Sequence, residues 1–254
     1  MTSKSKTVVA FDLYGTLLST ESISKELAVH FGDDKAAEVS ALWRRFQLEY
    51  TWRMNSMQLY KPFSDITRTS LLHALKESGV KLEDKDIANL MKAYDNLGTF
   101  DDVPSALEGI KNSETIDAYV FSNGTNDMVS SSVNQSPSLS KFSEVFKGLI
   151  TVEEVKVYKP HPKVYSYLLK QVGKDPENKE HVASVWLVTG NPFDVVGARA
   201  AGMQAAWVDR QGHHGKGGWS DRLGDLASGG PTIVVEGVDE AIKGIEKWVE
   251  EKKL

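Results

Sequence analysis

The chain has 254 residues, no cysteine and a formal net charge of −5, with 41% of its residues hydrophobic. That length buries one good core plus a smaller module, and the acidic balance argues against a nucleic-acid or anionic-membrane binder. Lack of cysteine excludes disulfides, thiolate catalysis and cysteine metal sites; with no apolar signal core after MTSKSK and no run of about 20 apolar residues, a cytoplasmic protein is expected.

Thr7–Phe11 is β-branched and apolar without alternation, as in a central parallel strand covered on both faces. Asp12 leaves that strand at its carboxyl end, where open α/β sheets bind ligands. It is a candidate nucleophile, or else an aspartate that caps a turn. Gly15 permits a tight turn, and Thr16 can hydrogen-bond the carboxylate. Between Leu18 and Thr99 the pattern becomes helical, with Trp43, Phe46, Tyr50, Met54 and Met57 spaced as one apolar stripe. A helical cap domain is expected over residues 19–98, inserted into an α/β core of residues 1–18 and 99–254.

Further strand-like runs follow at Ala118–Phe121, Gly148–Ile150, Val185–Val188, Ala205–Val208 and Thr232–Val235, with a helix around Val238–Glu250. Their separations leave room for crossovers, so the expected fold is α/β, a doubly wound parallel sheet of Rossmann-like type. The Gly-rich, charged segment 209–231 reads as a long loop.

Ser122, Asn123 and Gly124 follow one of these strands and suit an anion at a helix start; the plainer reading makes Asn123 or Thr125 a helix cap. Lys159, in VYKPHPKVY, is held extended by Pro160 and either points into the site or is solvated. Asn191 and Asp194, in VTGNPFD, follow another strand, and Pro192 fits a first helical position, which would make Asn191 an N-cap. His213 and His214 sit together in the Gly-rich loop and read as solvated; no His or Cys cluster has metal-ligand spacing.

In order and spacing, FDLYGTL, SNGT, YKPHPKVY and VTGNPFDVVGARAAG resemble the haloacid dehalogenase superfamily. LWRRFQLEYTW, at Leu42–Trp52, resembles the cap helix of its L-2-haloacid dehalogenases, the type II group. The resemblance runs from Val8 to Arg210. Phosphatases of that superfamily carry a second Asp where this chain has Tyr14. A phenol, with an ordinary pKa of about 10, is a poor acid for a phosphate ester's leaving oxygen, whereas halide departs without a proton. Losing that carboxylate also lowers the charge a magnesium site would use.

The resemblance implies that Asp12 is the nucleophile, Thr16 its supporting hydroxyl and Lys159 the lysine beside it. Asn191 and Asp194, with Thr189, would serve hydrolysis of the intermediate. Ser122 would bind the substrate carboxylate with the backbone of Leu13 or Tyr14, and Arg44 and Asn123 would accept the halide. Tyr165 matches an active-site tyrosine. Tyr14, Leu48 and Phe63 fall on the apolar pocket, with Phe193 as an aromatic wall.

The stretch 189–194 departs from the family's usual Ser-Ser-Asn-Ala-Trp-Asp: Gly190 loses a hydroxyl and Phe193 an indole N–H. Arg45 adds a charge near the cap. The polar stretch Ser130–Ser140 reads as a lengthened surface connection.

The expected activity is hydrolysis of short (S)-2-haloalkanoic acids to (R)-2-hydroxy acids through an aspartyl ester, with no metal and no cofactor. The expected partner is the small-molecule 2-haloalkanoate, not nucleic acid or membrane, and a homodimer stays open. Two alternatives stand beside it: a related hydrolase of another 2-substituted carboxylate, such as azetidine-2-carboxylate, and a non-catalytic binding protein on the same fold.

Overall fold

A computed structural model describes residues 6–210 and 221–252. Six parallel strands form one sheet, β1 (Thr7–Phe11), β2 (Ile116–Ser122), β3 (Phe146–Thr151), β4 (Val185–Thr189), β5 (Gln204–Val208) and β6 (Ile233–Val235), in the order β3-β2-β1-β4-β5-β6. This is the doubly wound arrangement foreseen from the apolar runs, β2 and β3 each extended by three residues and β4 and β5 by one, while β1 keeps its bounds and β6 loses Thr232. The order reverses between β1 and β4, and a crevice opens outside their carboxyl ends at such a switch point. Phe11 pairs with Val188 across that junction. Asp12 on one side and the segment after Thr189 on the other therefore meet.

Val9, Ala10, Phe11, Val120, Leu187 and Val188 have no exposed surface, as befits strands covered on both faces. One covering layer includes α5 (Val103–Lys111) and α11 (Val238–Lys252), whose Trp248 meets Trp186 of β4 edge-on with ring centres 5.2 Å apart. The other crossovers run through α6 (Asn126–Asn134), α7 (Pro162–Gln171), α8 (Lys179–Ala183) and α9 (Pro192–Ala200).

Between β1 and β2 the chain makes four further helices, α1 (Glu21–Phe31), α2 (Asp33–Ser56), α3 (Phe63–Glu77) and α4 (Asp84–Tyr94). Trp43 and Phe46 of α2 are buried, and Tyr50 and Met54 pack on the core at its margin. Met57 departs from the expected stripe: it is 57% exposed, standing as the C-cap just past the end of α2 at Ser56. None of the helices among the described residues is long and apolar enough to cross a membrane.

Two other expectations change. The segment 209–231 contains a short helix, α10 (Leu223–Ala227), and His213 and His214 lie outside the described residues. The Ser130–Ser140 stretch is not a surface connection throughout. Its first half completes α6, and Ser132, Ser136 and Leu139 are buried. Ser136 is tolerated there because its hydroxyl donates to the Ser132 carbonyl (2.6 Å) and accepts from the Leu139 N–H (3.2 Å).

Candidate active site

Asp12 sits one residue past β1, 6% exposed, with its N–H donating to the Val188 carbonyl of β4 (3.0 Å). The turn behind it needs Gly15, which adopts φ 82°, a left-handed conformation that side chains disfavour. The turn brings Thr16 back so that its hydroxyl donates to Asp12 Oδ2 (2.8 Å), and the same hydroxyl accepts from the Gly190 N–H (2.9 Å). Asn191 Nδ2 donates to Asp12 Oδ2 (2.7 Å) and to the Tyr14 carbonyl (3.0 Å), while Thr189 Oγ1 stands 3.5 Å from Oδ2. Asn191 holds the N-cap position of α9, yet its side chain makes no cap bond. The capping explanation thus accounts for its place in the chain and not for where its amide points. At α6, by contrast, Thr125 is the cap, accepting from Met128 N–H (3.2 Å).

Lys159 is 1% exposed. Its ammonium donates to Asp12 Oδ1 (3.1 Å), Asp194 Oδ2 (2.7 Å) and the Phe121 carbonyl (2.7 Å), which uses all three of its donors. Asn123 Oδ1 accepts from the Lys159 N–H (3.0 Å), and Asn55 of α2 pairs twice with the Tyr158 backbone, at 2.7 and 2.8 Å. Asp194 has no exposed surface; its other oxygen accepts from the Tyr165 hydroxyl (2.7 Å). Burial pushes the Asp194 carboxyl up to about 6, against the pull of the Lys159 charge and with the Asp12 charge adding to the rise. Burial likewise raises the phenols of Tyr165 and Tyr14, and both stay protonated near neutral pH. Gly197 makes the Tyr165 contact possible, since a Cβ there would lie 2.2 Å from the phenol oxygen.

Asp12, Tyr14, Arg44, Leu48, Phe63, Asn123, Lys159, Asn191 and Phe193 together line one cavity of about 10 Å³. Helix α2 contributes Arg44 and Leu48 from one face, one turn apart as their spacing predicts. Arg44 Nη2 donates to Asn191 Oδ1 (2.9 Å), so the asparagine bridges the arginine and Asp12. Tyr14 stacks against Phe63, ring centres 6.0 Å apart. Phe193 meets Trp52 edge-on at 5.5 Å and also borders an open cavity of about 520 Å³.

Six sequence-predicted residues stand outside this lining. Thr16 and Thr189 reach Asp12 from behind, and Asp194 and Tyr165 back Lys159. Leu13 is fully buried, its carbonyl accepting from Leu17 N–H (3.0 Å) and Leu18 N–H (2.9 Å). The Ser122 hydroxyl accepts from Gly124 N–H (3.1 Å).

The sequence profile of a hydrolase family described as haloacid dehalogenase-like matches residues 6–202. The chain belongs to the haloacid dehalogenase-like hydrolases. An (S)-2-haloacid dehalogenase of Pseudomonas sp. (strain YL) is 31% identical over 81% of this chain and 83% of its own length. The (S)-2-haloacid dehalogenase H-109 of Pseudomonas putida is 34% identical over 80% and 86%. Among solved structures, the L-2-haloacid dehalogenase of Xanthobacter autotrophicus with chloropropionic acid covalently bound superposes with a TM-score of 0.79. It is 25% identical, covering 95% of this chain and 99% of that one. These relatives group the chain with the L-2-haloacid dehalogenases of the family.

Sequence reading missed Gln47 and Tyr94, which lie beside Arg44. Gln47 is 1% exposed, and its Oε1 accepts from Arg44 Nη1 (2.8 Å). The only sequence signal was a glutamine one turn from Arg44 on a helix face otherwise lined by Trp43 and Leu48. Arg45, expected to add charge near the cap, is exposed and paired with Glu49 (3.1 Å) on the outer face of α2. Gly190, noted for its lost hydroxyl, is approached by backbone: a Cβ there would lie 2.5 Å from the Gly15 carbonyl.

Proposed function

We propose that this family member hydrolyses short (S)-2-haloalkanoic acids to (R)-2-hydroxyalkanoic acids through an ester on Asp12, with residues 19–98 acting as the cap. The observation that carries the reading is the unequal loading of the Asp12 carboxylate. Oδ2 accepts from Thr16 and Asn191, whereas Oδ1 accepts from Lys159 alone among the described residues. Oδ1 keeps a free lone pair and attacks the α-carbon in line with the departing halide, which leaves with the bonding electrons and inverts that carbon. Lys159 offsets the charge of the carboxylates, and Arg44 meets the halide as it gains charge, a contact stronger in the transition state than before it. Tyr14, held protonated by burial, adds an apolar face where a phosphatase would need an acid.

Water then attacks the ester carbonyl, releasing the hydroxy acid and restoring Asp12. Asn191 and Thr189 place that water, and Asp194, its carboxyl raised by burial, takes its proton. Asn123 stands with Arg44 on the halide side, and Ser122 with the backbone N–H of Leu13 or Tyr14 on the carboxylate side. A cavity of about 10 Å³ holds roughly one water, so admitting a haloacid requires α2 and α3 to part from the sheet edge.

Halide release from the separate enantiomers of 2-chloro- and 2-bromopropanoate tests the reading. Release from the (S) acids with (R)-lactate formed is the expected result. Turnover of aryl phosphates without halide release overturns it.

A further inference from the structure

We propose that Gln47 is a positioning residue for the halide-accepting arginine: its buried carboxamide sets where the Arg44 guanidinium points. This rests on the role given to Arg44 above. The orientation of the carboxamide follows from donors and acceptors alone. Thr67 Oγ1 donates its single hydrogen to the Phe63 carbonyl of its own helix (2.7 Å), so toward Gln47 it can only accept. The atom 2.9 Å from it must therefore be Nε2, which turns Oε1 toward Arg44. Oε1 then accepts from Arg44 Nη1 at 2.8 Å, and the Tyr94 hydroxyl lies across the amide, 3.1 Å from Nε2 and 3.2 Å from Oε1. Tyr94 is itself buried.

A guanidinium is a planar fork, so fixing one nitrogen fixes the plane of the rest. With Nη1 anchored inside the helical layer, Nη2 is directed to Asn191 Oδ1 (2.9 Å), at the edge of the Asp12 cavity. Arg44 is half-buried at the end of a long side chain, and without this anchor it regains rotamers that face away from the departing anion. Misplacement of a charged group by about 1 Å can cost on the order of a hundredfold in rate. Gln47 acts without touching the substrate.

The test compares wild type with Gln47→Leu, Gln47→Glu and Thr67→Val. Gln47→Leu removes the anchor. Gln47→Glu keeps an acceptor beside Arg44 but offsets its charge, and Thr67→Val removes the acceptor that orients the amide. Each is read by single-turnover rates with (S)-2-chloropropanoate and (S)-2-bromopropanoate, by inhibition from added bromide, and by melting temperature. The expected result is weaker bromide inhibition in all three and a chloride-substrate rate about tenfold lower in the Gln47 variants. The bromide-substrate rate should fall less, because the better leaving group needs less stabilisation, and Thr67→Val should move the same way by less.

Variants that melt lower yet keep the wild-type bromide inhibition and chloride-to-bromide rate ratio reduce Gln47 to a packing role and overturn the proposal. If Gln47→Leu does not fold, Gln47→Glu and Thr67→Val decide on the same readouts. A wild-type enzyme that releases no halide is a different failure: it overturns the proposed function itself, before any variant is compared.

Discussion

Asn191 Nδ2 donates to Asp12 Oδ2 over 2.7 Å, across the junction where the strand order reverses, although Asn191 stands at a helix start where its side chain could have capped α9 instead. The amide is thus committed to the carboxylate and the Tyr14 carbonyl, and its own oxygen to Arg44. Asn191→Ala should lower the rate of ester formation on the order of a hundredfold through lost alignment, with a stability loss of about 1–3 kcal/mol because the Tyr14 carbonyl and Arg44 lose a buried partner. A melting temperature that falls sharply, with the rate per folded molecule unchanged, would return Asn191 to a capping role.

Lys159 lies between two carboxylates with all three donors used, so it is structural as well as chemical. Lys159→Met leaves Asp12 and Asp194 buried together without their cation and should cost about 3–5 kcal/mol. The double variant Lys159→Met with Asp194→Asn should be more stable than Lys159→Met alone, because one uncompensated charge is gone. Denaturant unfolding of the two singles and the double gives the coupling directly; additive losses would mean that the pair is not coupled.

The six strands and the ends at which chemistry collects were legible in the sequence. A strand covered on both faces reads as an unbroken apolar run, and Asp12, Asn191 and Asp194 each follow one. The Gln47 carboxamide was not legible, since a polar residue on an amphipathic helix looks the same whether it faces water or a buried partner from another helix. Nor was the tight space at Gly190. The close backbone is that of Gly15, far away in sequence and brought near only because β1 and β4 are neighbours. The buried Ser136 of the Ser130–Ser140 stretch was misread for a related reason: its hydroxyl is satisfied by local backbone, which composition does not reveal.

Gly190→Ala follows from that proximity. The added Cβ would fall 2.5 Å from the Gly15 carbonyl and must push the turn that holds Thr16 against Asp12. A loss of about 1–3 kcal/mol is expected from overpacking against backbone, together with a lower rate of ester formation. Unfolding and single-turnover measurements on the same preparation check it, and a variant equal to wild type in both would show that the turn yields freely.

The raised Asp194 carboxyl gives a pH signature with a definite sign. Its folded value of about 6 lies above the usual 3.8, so the folded chain holds this proton more tightly than the unfolded one. Its contribution to stability therefore declines as pH rises from about 4 to 6 and is constant above that. For catalysis the sense is opposite, because the base form exists above 6. Hydrolysis of the ester should slow on the acid side with a midpoint below 6, because esterified Asp12 no longer carries the charge that adds to the rise, and the covalent intermediate should accumulate as pH falls toward 4. Asp194→Asn should accumulate it at every pH. Quenched-flow trapping followed by mass measurement of the Asp12 peptide reads both, and an ester that turns over equally at pH 4 and 8 would remove Asp194 from the proton transfer.

The covalent step itself can be followed by oxygen isotope. If water cleaves the ester at the carboxyl carbon, the hydroxyl oxygen of the first product comes from Asp12, and solvent oxygen replaces it in the protein. With enzyme in excess over substrate in oxygen-18 water, label should appear in the peptide containing Asp12 and not in the hydroxy acid. Activated water attacking the α-carbon directly would give the reverse, because solvent oxygen would enter the product in one step. Asp12→Asn should abolish halide release, as an amide is a poor nucleophile and its neutral group leaves Lys159 paired with Asp194 alone. Labelled product with an unlabelled Asp12 peptide would make Asp12 a general base rather than the nucleophile.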